Sequence, residues 1–248
     1  MKWRHYVTLG GLSYAFFLLA SLPASVLWQR SWVQQQVEPF SSVVSDLRGS
    51  LWRGSALLQW NGENYPLTWQ VSPRWLWRGE LALDLRTEQP DLQADAVLIA
   101  SPFSLGLRDL KAKASDVFVN RLLVGQGVSL RGVVSVDVQR IRWKNHLFSE
   151  AQGRVSWDGG LLRYPTPAVK EVTMPRLLAT LSSDPNGQLV MNLVAPERSA
   201  TEELLLLRLN GQGLGTVQVR RRFLDVLGQP WGARSKADDV VFEASQQF

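Results

Sequence analysis

A chain of 248 residues with a formal charge of +5, two histidines and no cysteine can bury one large core or two small ones. Without cysteine it holds no disulfide framework, thiolate metal site or thiol nucleophile. Setting Lys2 and Arg4 aside, 25 basic residues face 22 acidic ones, a balance too small to argue for a nucleic-acid partner.

Tyr6 to Trp28 is a run of 23 residues without a charge. As a helix it would span roughly 34 Å, against about 30 Å for a hydrocarbon core. Lys2 and Arg4 precede it, which predicts a cytoplasmic stub over residues 1–5, a transmembrane helix over 6–28 and an exported remainder. The rival reading is a cleavable signal peptide, but the small-residue pattern around Leu22 to Ser25 is poor, and an anchor is preferred. The lipid membrane is therefore a partner through residues 6–28. Residues 29–48 are polar, with Trp32, Val33, Val37 and Phe40 at helical spacing, and read as a juxtamembrane helix or linker.

From residue 49 to 248 the pattern is β-rich. Ser55–Trp60 and Tyr65–Val71 flank Asn61-Gly62, a hairpin signature. Leu67, Trp69 and Val71 alternate with polar neighbours, as do Leu81, Leu83 and Leu85. Strands are expected over 92–100, 104–114 and 128–138, the last running on toward Trp143. Others follow over 153–157, 176–181, 187–194 and 214–221, with a turn at Asp184-Pro-Asn-Gly187. Ser115 to Leu123 is the best later helix, with Ser115 as N-cap. Glu202 to Leu209, with four consecutive leucines, fits a helix or a fully buried strand equally. The fold class is all-β, mainly antiparallel, a curved sheet or half-barrel, with one N-terminal transmembrane helix and one or two short helices. A loose likeness between Arg48–Trp60 and Leu130–Trp143 raises the idea of two similar sheet halves.

Chemistry is sparse. His146 beside Asn145 reads as a solvated turn residue, and no histidine pair or cysteine offers a transition-metal site. No phosphate-binding loop and no serine-nucleophile motif occurs. Gly211-Gln-Gly-Leu-Gly215 has the wrong spacing for a dinucleotide fingerprint and reads as turn or bulge glycine. Glu202-Glu203 and Asp238-Asp239 have no partner that implies acid–base work. Arg220-Arg221-Arg222 is the densest charge cluster, read as a solvated strand end, with contact to an anionic headgroup or acidic partner as the sharper option. No catalytic, cofactor-binding or metal-ligating residue is expected, and no enzyme.

Gly49-Ser-Leu-Trp-Arg-Gly-Ser-Ala56 is the most distinctive local pattern. Gly49 and Gly54 would allow a tight bend around Leu51 and Trp52, with Ala56 leading into the hairpin. This segment resembles the G-[ST]-[LV]-W-x-G-x-A signature of the type II secretion system protein N family. Leu67-Thr-Trp69 and Pro73-Arg-Trp75-Leu-Trp77-Arg-Gly79 are similar to that family's next block. Leu227-Gly-Gln-Pro230 resembles a further family feature, although the usual Asp-Gly turn does not follow. The resemblance implies an inner-membrane accessory component of a Gram-negative secretion machine, with platform protein M and secretin D as contacts and no catalytic positions.

Two functions follow. One is a non-enzymatic, anchored adaptor that makes periplasmic protein–protein contacts, by strand addition at sheet edges among other modes. The other is an anchored envelope lipid-handling protein with an apolar concave groove. For both, Trp69, Trp75, Trp77 and the three arginines are the expected contact residues. The expected discriminator is facial: an adaptor keeps one polar face throughout, whereas a lipid groove has two apolar faces.

Overall fold

The computed structural model describes residues 44–60, 62–73, 79–166, 168–229 and 235–247. The expected stub and anchor, and Trp75 and Trp77, lie outside the described residues. Among the described residues no helix is long and apolar enough to cross a membrane.

Among the described residues sixteen strands form two sheets. β1 (Val44–Gly49), β2 (Arg53–Trp60), β3 (Glu63–Ser72), β4 (Leu81–Glu88), β5 (Leu92–Ser101) and β6 (Ser104–Ala114) make an antiparallel meander. Helix α1 (Asp116–Leu123) and a short 3-10 turn lead to β7 (Ser129–Leu130). The meander resumes with β8 (Val134–Lys144) and β9 (Leu147–Trp157), and after a detour continues through β12 (Leu177–Ser183), β13 (Leu189–Ala195), β14 (Ser199–Leu209) and β15 (Leu214–Arg220). Helix α2 (Arg221–Val226) precedes the last strand, β16 (Val240–Gln247), which completes a 13-stranded sheet. The detour is a hairpin, β10 (Gly160–Thr166) and β11 (Ala168–Met174), which pairs with β7 as a three-stranded sheet.

The all-β reading holds, and so do most turns. The Asn-Gly hairpin forms, with Trp60 opposite Glu63. Asn145 and His146 both have positive φ, 51° and 58°, the signature of a two-residue hairpin turn; His146 is exposed, as expected. At Asp184 one carboxylate oxygen accepts the backbone N–H groups of Asn186 and Gln188. Gly211–Gly213 is a turn fixed in the same way by Asn210. Helix α1 starts after Ser115, although the Ser115 hydroxyl makes no capping bond.

Four elements differ from expectation, the first being β1, a strand over Val44–Gly49 at the end of the stretch read as juxtamembrane helix or linker. The strand predicted over 128–138 and beyond is broken at Gly132, whose φ of 112° no L side chain adopts with ease. There β7 leaves for the small sheet and β8 begins the large one. The hairpin β10–β11 was not foreseen, nor was β16 in what reads as a polar tail. The leucine run of 204–207 resolves as strand, because both of its faces are apolar: Leu204 and Leu206 are buried, while Leu205 and Leu207 lie on the opposite face.

The compact core is local. Trp157, Met174, Leu177, Ala195, Leu204 and Val226 cluster where the small sheet and α2 meet the end of the large sheet. Trp157 donates its indole N–H to the Arg131 carbonyl at 3.0 Å, which ties the chain across the Gly132 break. Among the described residues the large sheet is elsewhere a single layer, since its strands pack on their ladder neighbours and the helices touch only a few of them.

Candidate functional site

The family-like corner is built around Trp69. β1 ends at Gly49, with φ of 98°, directly opposite Gly54. Ser50 donates its backbone N–H to the Arg53 carbonyl at 2.9 Å, closing the turn. The two residues at the tip, Leu51 and Trp52, are half-buried, and both present carbonyls to β3. Leu51 accepts the Trp69 indole N–H at 3.3 Å, and Trp52 accepts the Val71 backbone N–H at 2.7 Å. Gly54 sits beneath the Trp69 ring so closely that a Cβ would come within 2.3 Å of it. Ala56, at 4% exposure, continues the inward row. Trp69, read as a contact residue, is thus held by its own corner.

On the polar face beside the corner, Arg48, Arg53, Arg86, Asp84, Asp95 and Asp109 line an open depression. Arg48 pairs with Asp46 at 2.8 Å, and Arg86 with Glu88 and Asp95 at 2.9 and 3.2 Å. The hydrogen bond to Asp46 raises the Arg48 pKa, so its charge is permanent. No nucleophile and base converge here, and among the described residues no cluster of histidines and carboxylates could hold a metal.

The arginine cluster is a clamp within the chain. Arg220 binds Glu203 at 3.0 Å and donates to the Asp238 carbonyl. Arg222 pairs with Glu202 at 2.7 Å and also with Asp238, and Arg221 lies 3.9 Å from Asp225. The two acidic doublets and the basic triplet, separate in sequence, therefore join β14, α2 and the approach to β16.

The feature that sequence reading missed is continuous across strands. Val71, Leu83, Leu98, Leu107, Ile141 and Ala151 stand opposite one another in successive strands from β3 to β9. A second row runs from Ala94 through Ala112, Val136, Val155 and Ala179 to Leu193. It continues through Leu205 and Val219 to Phe242 on β16. The matching row on the other face reads Gln70, Asp84, Val97, Arg108, Arg140 and Gln152. One face is apolar from side to side, the other mostly polar. From Leu83 to Ala151 every member of the first row stays partly exposed, so no second layer of described residues covers it.

Helix α1 lies across one end of this face. The Phe118 and Tyr65 rings meet edge to face at 5.5 Å. Arg121 bonds the Tyr65 hydroxyl at 3.0 Å and the Asp91 carboxylate at 2.6 Å. The bond to Tyr65 first, then the charges of Asp91 and Glu63, raises the Arg121 pKa. Asn120 exchanges two hydrogen bonds with the Leu130 backbone, at 2.9 and 2.8 Å, fixing the helix to the small sheet.

The family model for type II secretion system protein N matches residues 43–231. The chain belongs to that family. The match covers β1 through α2 and includes the Gly-Trp corner. Searches of curated proteins and of solved structures found no significant match. As a member of the protein N family, the chain is a component of type II secretion.

Proposed function

We propose that this protein N family member is a non-enzymatic accessory component of the type II machinery, anchored in the inner membrane by residues 6–28. Its body, residues 49–248 with β1 as a preceding strand, works in the periplasm through protein–protein contacts. Platform protein M and secretin D are the partners that the family resemblance implies. The observation that carries the reading is the family match itself, which spans the first fifteen strands.

The two edges of the large sheet suggest where contact is made. β1 carries Asp46 with φ of 49° inside a register shift, together with Arg48. A bulge and charges are the usual means of blunting an edge. β16 is eight residues long, with Glu243 as its single charge and no proline or lysine. Its ladder to β15 is regular from Leu214 to Val219, and among the described residues it has no second neighbour. An edge of that kind accepts an added strand.

The test is photo-crosslinking in secreting cells from positions 46 and 245 of the full chain. Adducts with a secretion component from Ser245, and few from Asp46, are expected. Recovery of no secretion component from either position would sink the adaptor reading.

A further inference from the structure

We propose that the apolar face of the large sheet is a trough that takes the acyl chains of a phospholipid, which enter from the end opposite α1. This goes beyond the adaptor reading and needs none of its contacts.

The trough is curled, not flat. Trp143 on β8 donates its indole N–H to the Gly211 carbonyl at 3.3 Å. Gly211 lies in the turn after β14, and a Cβ there would fall 1.8 Å from the His146 carbonyl. β8 and β14 are four strand spacings apart in the sheet, roughly 19 Å if the sheet were flat. Their turns can touch only if the sheet bends back on itself. Trp143 belongs to the apolar face, opposite Leu105 and Phe148, so that face is the inside of the bend.

The lining chemistry selects the occupant. The two cross-strand rows carry no charge and no hydrogen-bonding side chain, and the main chain beneath them is used by the ladders. A peptide strand would find no partner for its own backbone there, which is costly in a dry site. A hydrocarbon chain needs none. The concave bend also disfavours the flat sheet of a second copy. Apolar area left open on this scale marks a binding surface.

The ends are unequal. α1 closes the end where Tyr65 and Leu92 lie. At the other end, where the Trp143–Gly211 bond draws the ends of β8 and β14 together, Phe103, Leu105, Leu147 and Leu214 are still exposed by 78%, 46%, 49% and 43%, a rim of apolar side chains at the mouth. β1 begins at the closed end, because Val44 pairs with Leu58 and Leu58 with Tyr65. The expected face criterion needs correcting on this point: one apolar face suffices for a groove when no described residue forms a layer over it.

The test uses the full chain in vesicles of phosphatidylethanolamine and phosphatidylglycerol. A photoreactive benzoylphenylalanine replaces Leu107 or Val217 inside the trough, or Arg140 or Thr216 on the other face. Adducts of phospholipid mass should form at the first pair with yields about tenfold above the second, the ratio expected for burying a few methylenes. Ala112→Trp, which fills the trough without adding polarity, should lower the Leu107-site yield about fivefold on the same arithmetic. Circular dichroism would confirm that the fold is kept. Equal yields on both faces, no lipid adduct, or adducts joining the trough to residues 1–43 or to a second copy would each overturn the proposal. If Ala112→Trp does not fold, the comparison of faces in the otherwise native chain decides alone.

Discussion

Gly54 shows how a single missing methyl group can define a corner. Its Cα lies against both the Trp69 ring and the Arg48 carbonyl, with a built Cβ 2.3 and 2.4 Å from them. The ring could move only by giving up its bond to Leu51, and the carbonyl belongs to the β1 backbone. Gly54→Ala should therefore destabilise the fold by about 1–3 kcal/mol, the usual range for overpacking. Gly62→Ala supplies the contrast, because its φ is 80° but nothing lies within 4 Å of the added atom. Its cost should come from the left-handed backbone alone, about 1–2 kcal/mol. Urea melts of the two variants with fluorescence of the tryptophans would separate them: only Gly54→Ala should also shift the emission of the folded state. Equal effects would mean that the ring and Gly54 are not in close contact.

Elements that alternate and end in a marked turn were legible. The Asn-Gly hairpin and the strands around Leu81–Leu85 and 104–114 each have one apolar face and polar ends. β10 and β11 were missed because Tyr164, Pro165 and the Arg163–Glu171 pair give no clean alternation. β16 was missed because seven of its eight residues are exposed on an edge, where burial imposes no pattern. The break at Gly132 hid within an apolar run, since periodicity cannot show that a strand changes sheets. That break makes a prediction at this scale. A Cβ on Gly132 would lie 2.5 Å from the Gly159 carbonyl, with φ at 112°. Gly132→Ala should thus detach the small sheet first. Hydrogen exchange should speed up in β7, β10 and β11 before β4, β5 and β6 change. A uniform loss of protection would show instead that the two sheets unfold as one unit.

At the scale of the molecule, sequence revealed the fold class and the family corner but not the trough. Alternation reports that each strand has an apolar side, and a covered sheet gives the same pattern as an uncovered one. What decides is the absence of a second layer among the described residues, a fact about packing that no strand carries alone. The proposed anchor belongs to this scale too, since it acts on where the whole sheet works and not on how it folds. A tether of some twenty residues holds a domain at an effective concentration of about a millimolar relative to neighbours on the same membrane. Free in the periplasm, the same body would have to find them at its bulk concentration. Replacing residues 1–28 with a cleavable signal peptide should leave the β body folded, with an unchanged melting temperature, yet lower secretion by about tenfold or more. Overexpressing the released body should restore part of that loss, because mass action substitutes for the tether. Full secretion by the released body at ordinary levels would show that tethering contributes nothing. Failure of overexpression to restore any would show that residues 1–28 make a contact of their own.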